Sequence, residues 1–340
     1  LKPLEKKVVE SLAEVWGGTT VMKGLNAEGV GKAFSDMWSD FDDPVAFSLD
    51  AVRFDQHVGT DALKWEHSVY GKCFSQEDRA KLLRLLQWQL KNKGFAYLPD
   101  VELKYWVLAH RMSGDMNTST GNCLLMCAIL LYFRDLCKVH MRLANNGDDC
   151  VLVLERRDAW LVEERVCAHM LQFGFVIELE PMVSVLEEIN FCQCHPVYDG
   201  AKWIMMRDPR VCIDKDLVTV LDLSTKGGCE TWAHAIGSCG LAMTAGLPVS
   251  SRFYSMLLRH GTVGKVLDSP WMDGGFKRMA AGLDRQHVAI TPEARLSFWR
   301  AFGLLPDVQV AMESSFDVMK LNFSAGELIS PHQFIPLIFE

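Results

Sequence analysis

Three short stretches of this sequence concentrate residue types that handle phosphate and hard cations. In Asp50-Ala51-Val52-Arg53-Phe54-Asp55, the first aspartate closes an apolar run from Val45 to Leu49. A carboxylate at the end of a buried strand stands at a sheet edge, where oxygen donors suit Mg2+ or Mn2+. Taken alone, such a pair is ordinary solvated turn chemistry. In Asn145-Asn146-Gly147-Asp148-Asp149, two adjacent carboxylates follow an Asn-Gly pair, which predicts a hairpin between the run starting at Val139 and the run Cys150 to Leu154. Side by side at a tight turn, those carboxylates repel one another unless a divalent cation neutralises them. The third stretch, Ser113 to Asn122, is a small polar loop running into the apolar residues from Cys123. Hydroxyls, amides and backbone N–H groups at a helix N-terminus can hold phosphate or sugar, and they serve equally as an elaborate N-cap.

The elements that must position these groups read as α+β, then mainly α. Residues 45–49, 139–143, 150–154, 175–179 and 188–193 have strand character, and residues 160–173 helical character. The run Cys123 to Phe133 reads as a buried helix, too short to cross a bilayer. Residues 1–40 read as helices broken at Gly17-Gly18, Gly29 and Gly31. Leu82, Leu83, Leu85, Leu86 and Leu90 among charges predict an amphipathic helix over 76–93, capped by Ser75 with Asp78. Beyond about residue 215, helices separated by glycine and proline are expected.

At 340 residues and 49% hydrophobic, the chain can bury a large core, and without repeats or linkers its subdivisions should be lobes sharing that core. Its 11 cysteines form no Cys-x-x-Cys pair, which argues for free thiols in a reducing compartment such as the cytosol. A net charge of −8 runs against nucleic-acid binding, where phosphate neutralisation supplies much of the affinity. The objection weakens if positive charge is local, at Lys91/Lys93, Arg156/Arg157, Lys202/Arg207/Arg210 or Arg252/Arg259/Lys265, although any one of these reads as well as solvated surface. The opening Leu1-Lys2-Pro3-Leu4-Glu5-Lys6 lacks the layout of a signal peptide and looks like a cut end.

In this order, the three stretches resemble motifs A, B and C of viral RNA-dependent RNA polymerases. The runs Phe54-Asp55-Gln56-His57-Val58, Arg111-Met112-Ser113-Gly114-Asp115-Met116-Asn117-Thr118 and Asn145 to Cys150 are most similar to the tombusvirus family of plant viruses, and Glu188-Ile189-Asn190-Phe191-Cys192-Gln193 resembles its motif E. The resemblance is specific over about residues 1–200 and loose beyond. It implies a right-hand polymerase with an antiparallel palm sheet, partial fingers and a helical thumb. Residues 1–44 would be partial fingers, 45–60 palm with motif A, 61–105 a fingers insertion, 106–200 palm with motifs B to E, and 201–340 thumb.

By the same resemblance, Asp50, Asp148 and Asp149 would hold two divalent ions, Mg2+ or Mn2+, for nucleotidyl transfer. Asp55, Ser113, Gly114, Thr118 and Asn122 would bind the nucleotide and read its ribose, and Asp55 favours ribonucleotides because reverse transcriptases place a bulky aromatic there. Phe191, Cys192 and Gln193 would lie under the primer end or the initiating nucleotide, unless they are an ordinary strand between lobes. Implied partners are RNA template and product, ribonucleoside triphosphates and an accessory viral replicase protein. The implied location is the host cytoplasm, at membrane-bound complexes anchored through parts outside this chain.

Three departures from the family qualify this picture. Val52 replaces a small polar residue. No lysine lies between Lys138 and Lys202 to act as a motif D proton donor, which leaves His169 or Arg165. The arginine-rich fingers segment that precedes the opening residues in relatives is missing, so a C-terminal portion of a longer replicase is expected, weakly active or inactive alone. Two other classes remain open: a non-catalytic RNA-binding or scaffold fragment, which would have lost a metal ligand, and a metal-dependent phosphoesterase, which would not need Asp55 and Asn122. Cys192, Cys194 and His195 fall short of a four-ligand zinc set, and Ser113 lacks the G-x-S-x-G turn of a hydrolase nucleophile.

Overall fold

The computed structural model describes residues 2–219, 223, 225–264, 275–283 and 288–323. Along the chain run α1 (Lys2–Trp16), α2 (Ala27–Ser39), β1 (Pro44–Ala51), α3 (Phe54–His57), α4 (Thr60–Lys72), α5 (Gln76–Leu86), β2 (Lys91–Leu98) and β3 (Val101–Leu108). Next come α6 (Thr118–Cys137), β4 (Met141–Asn145), β5 (Asp149–Glu155), α7 (Ala159–Gln172), β6 (Ile177–Leu179), β7 (Cys194–Tyr198) and β8 (Trp203–Arg207). Helices α8 (Pro209–Lys215), α9 (Lys226–Thr244), α10 (Ser250–His260), α11 (Phe276–Met279), α12 (Pro292–Phe302) and α13 (Pro306–Val318) follow. The chain is mixed helix and antiparallel sheet, divided into two compact units: residues 1–23 with 37–184, and residues 24–36 with 185–340.

The first unit is built on a sheet of order β4-β5-β1-β6. Strand side chains alternate between faces, so register decides what each face carries. Val45, Phe47, Leu49 and Ala51 lie opposite Leu154, Leu152, Cys150 and Ile177 in turn. Together they enter a core with Met126, Leu130 and Phe133 of α6 and Val162, Val166 and Met170 of α7. The same alternation leaves Asp50, Asp149 and Glu178 on the other face. At 20 residues α6 is longer than its apolar run suggested and is long and apolar enough to cross a membrane, yet more than half of it is buried against this sheet.

The hairpin, β1, α7 and the Ser75 cap match expectation; the Ser75 hydroxyl accepts the Asp78 N–H at 3.4 Å. Three expectations fail. The helix expected over 76–93 ends at Leu86, and from Lys91 the chain forms a hairpin with β3 about Pro99-Asp100. Gly29 and Gly31 lie inside α2 and do not break it; a Cβ at Gly31 would collide with the Trp203–Ile204 peptide, so this glycine serves a close approach. Residues 188–193 are not a strand: Phe191 and Cys194 exchange backbone hydrogen bonds about a two-residue reversal in which Cys192 (φ 52°) and Gln193 (φ 60°) are both left-handed, and β7 starts only at Cys194.

In the second unit, β7 and β8 pair antiparallel, and Val197, Ile204 and Met206 share a core with Trp232, Tyr254, Phe298 and Phe302 from α9, α10 and α12. Most of the candidate basic patches are matched by acids. Arg156 pairs with Asp43, Lys202 with Glu28, Arg207 with Asp216, Arg210 with Asp208, and Arg252 and Arg259 face Asp317. Lys91 and Lys93 are exposed on β2, and Lys265 lies outside the described residues.

Candidate active site

Asp50 sits on β1 with Asp149 of β5 directly opposite and Glu178 of β6 opposite on its other side. Residues directly opposite in antiparallel strands share a face, with Cβ atoms about 4.5–5.5 Å apart. Register therefore lays three carboxylates in a row across the sheet. Like charges so placed destabilise one another, and an all-oxygen donor set of this kind fits a hard divalent cation. Among the described residues, no three acidic, histidine or cysteine side chains converge closely enough to form a ready-made metal cluster.

Asp148 is exposed on the turn that joins β4 to β5. Asn146 N–H donates to the Asp149 carbonyl at 2.9 Å, closing a two-residue loop whose first central residue, Gly147 (φ 107°), takes a backbone conformation that favours glycine. The turn is braced from below: the Asn145 amide donates to the Cys123 carbonyl at 3.0 Å and its oxygen accepts Gly147 N–H at 2.6 Å. Residues 20–22 run beside β4, with Asn145 N–H donating to the Thr20 carbonyl at 2.8 Å. They deliver Lys23, whose Nζ would stand 3.8 Å from a Cβ on Gly147. Burial pushes the thiols beneath the turn upward, that of Cys123 to about 11, so they are neutral packing groups.

The second part of the site is a hydrogen-bonded cluster around Asp55, in the first turn of α3. Arg111 N–H donates to the Asp55 carbonyl at 2.9 Å, which draws the loop before α6 against α3. Ser113 Oγ then donates to Asp55 Oδ2 at 2.6 Å, and Asn122 Nδ2, from the second turn of α6, donates to Asp55 Oδ1 at 2.8 Å. Thr118 does not join them; its hydroxyl donates to the Met112 carbonyl at 2.7 Å and holds the loop closed. Gly114 is exposed, and a Cβ there would meet open space. Below lies a polar layer that the sequence did not reveal: Arg111 and Glu66 form an ion pair whose side chains are 0% exposed, and Arg111 Nε donates to Asn122 Oδ1 at 3.0 Å.

The sequence matches the family described as viral RNA dependent RNA polymerase over residues 1–324. The chain belongs to that family. The RNA-directed RNA polymerase of Melon necrotic spot virus is 43% identical to it over 326 residues, 95% of this chain and 41% of that protein. Those of Tobacco necrosis virus strain D and Turnip crinkle virus are 41% and 40% identical, over 95% and 94% of the chain. The chain thus spans 41–45% of the length of these relatives. The resemblance to tombusvirus-family polymerases seen in the motifs holds, and it runs well past residue 200.

Three further expectations concern Phe191 to Gln193, His169 and Arg165 of this polymerase-family chain. Phe191 lies in the second unit, buried and edge-to-face with Phe34 at 5.3 Å, with Cys192 and Gln193 on the reversal beside it. His169 bonds the Ile129 carbonyl at 3.0 Å and packs among Tyr132, Phe133 and Phe173. Arg165 stacks on Trp160 of the same helix. Since α7 covers the sheet face opposite Asp50, neither side chain is placed to donate a proton beside the carboxylates. Glu178, Glu66 and Lys23 were missed because each acquires meaning only through strand register or a long-range partner.

Proposed function

We propose that this chain is the catalytic core of an RNA-dependent RNA polymerase that joins ribonucleoside triphosphates on an RNA template by two-metal nucleotidyl transfer. The observation that carries this reading is the pairing of a phosphate-type centre with a sugar-type centre. Asp50 opposes Asp149 across the sheet, and five residues further on Asp55 is clamped by Asn122 and Ser113. A phosphoesterase has no need of the second centre.

In this reading Asp50, Asp148 and Asp149 hold two Mg2+ or Mn2+ ions. When bound, the ions lower the charge barrier between a 3′-hydroxyl and the transferred phosphate. The residues themselves contribute position. A ribose 2′-hydroxyl is both donor and acceptor, so it can donate to Asp55 while accepting the second N–H of Asn122, and a deoxyribose forfeits both contacts. The Lys23 ammonium beside Gly147 offers a counter-charge for phosphate.

The wider layout belongs to the same proposal: residues 45–60 and 106–200 as palm, 1–44 and 61–105 as fingers, 201–340 as thumb, and Phe191 to Gln193 supporting the primer end. An accessory replicase protein, RNA template and product, and host cytoplasmic membranes reached through other parts of the protein complete it.

The test is incorporation of labelled ribonucleotides on a heterologous RNA template with Mg2+ or Mn2+, using a form extended to the length of the relatives. Template-dependent synthesis that disappears in Asp148→Ala is the expected result. A folded, template-binding protein that makes no RNA would instead indicate a scaffold, and phosphate release without a template would indicate a phosphoesterase.

A further inference from the structure

We propose that the buried Arg111–Glu66 pair is a positioning device that dictates which way the Asn122 amide faces, and through it how strictly the site selects ribose over deoxyribose. The proposal rests on the reading of Asp55 and Asn122 as sugar-contacting groups. An asparagine amide has two ends of opposite polarity, and its use depends on which end meets the ligand. A guanidinium only donates and keeps its charge. With Arg111 Nε at 3.0 Å, the Asn122 oxygen must face Arg111, and the NH2 group must then face Asp55, which it meets at 2.8 Å.

Arg111 is itself oriented from beneath. Glu66 accepts from both terminal nitrogens of the guanidinium and, through Oε1, from Asn117 Nδ2 at 2.6 Å. The polarity then runs outward without ambiguity. Asn117 Oδ1 accepts from Gln89 Nε2 at 2.6 Å, which leaves the Gln89 oxygen facing His67 Nε2 at 3.1 Å, so that nitrogen carries the proton. Burial lowers the His67 pKa and keeps the ring neutral. Gly121 completes the fit, since a Cβ there would collide with both Glu66 and Arg111 and lift the start of α6 off the pair.

A buried ion pair is commonly no more stabilising than apolar side chains of similar volume. What an apolar pair cannot supply is a donor aimed at Asn122. Without that donor only Asp55 holds the amide, so its plane can rotate out of the position that matches a 2′-hydroxyl.

The experiment compares kcat/KM for a ribonucleoside triphosphate and its 2′-deoxy analogue on one template, in the form extended to the length of the relatives. Arg111→Met with Glu66→Leu removes both charges together. Arg111→Lys keeps a charge without the Nε donor and provides the answer should the double variant fail to fold. The expected result is a fall of about tenfold in the ribose-to-deoxyribose ratio in either variant, the scale of one lost hydrogen bond. A purely structural role would lower both kcat/KM values equally and leave the ratio intact, which would overturn the proposal. Asp55→Asn separates the two ideas. If it collapses the ratio while the Arg111 variants do not, only the relay is wrong; if it too leaves the ratio unchanged, the sugar reading itself is wrong.

Discussion

Asp50 and Asp55 are near neighbours in the chain, yet they are held by different means. Asp55 has both oxygens engaged by side chains, and those side chains are oriented by a buried layer reaching Glu66 and His67. Asp50 owes its place to strand register, which sets it between Asp149 and Glu178 with like charges abreast. The Asp55 cluster is therefore complete in the folded chain, whereas the carboxylate row sets like charges side by side, a repulsion that a bound cation would relieve.

The largest effect that would sharpen this contrast is expected at Glu66. Glu66→Ala leaves the Arg111 guanidinium buried and unpaired, and denaturant unfolding should show a loss of about 3–5 kcal/mol. A loss below about 1 kcal/mol would mean that the layer is not rigid. Next in size is Gly147→Ala. An L-residue in the left-handed conformation costs roughly 1–2 kcal/mol, and the added Cβ would also approach Asn122 Cβ at 3.4 Å; the same unfolding measurement reads it. The smallest effect should have the opposite sign. In metal-free buffer Asp50→Asn should raise stability by about 0.2–1 kcal/mol by removing like-charge opposition, and Mn2+ should stabilise the parent protein more than this variant. If Asp50→Asn destabilises without metal, the carboxylate row is held by something other than register.

What was legible in the sequence follows the same division. β1 announced itself as an apolar run ending in Asp50, and the β4–β5 hairpin through alternation and Asn-Gly, because local pattern decides both. The β2–β3 hairpin did not: Leu82 to Leu90 continue a helical spacing, and Phe95, Tyr97, Leu103 and Trp106 are all exposed, so no alternation against a core marks the strands. Glu178 was invisible because the partner of a three-residue strand is fixed by tertiary structure. Glu66 looks like any glutamate of a charged helix until Arg111, 45 residues away, is brought to it. The reversal at Cys192-Gln193 was hidden because neither glycine nor asparagine occupies its left-handed positions.

The interleaving of the two units bears on how the chain is made. Residues 24–36 belong with residues 185–340, although the intervening stretch belongs to the other unit. In α2, Ala27 enters the core of Val197 and Ile204, Phe34 meets Phe191, and Gly31 abuts the Trp203 backbone. During synthesis α2 emerges long before any of these partners exists, so its apolar side waits uncovered until residues 191–206 have followed. A protein truncated at residue 184 would retain that orphaned helix permanently, and neither unit can be excised as one continuous fragment.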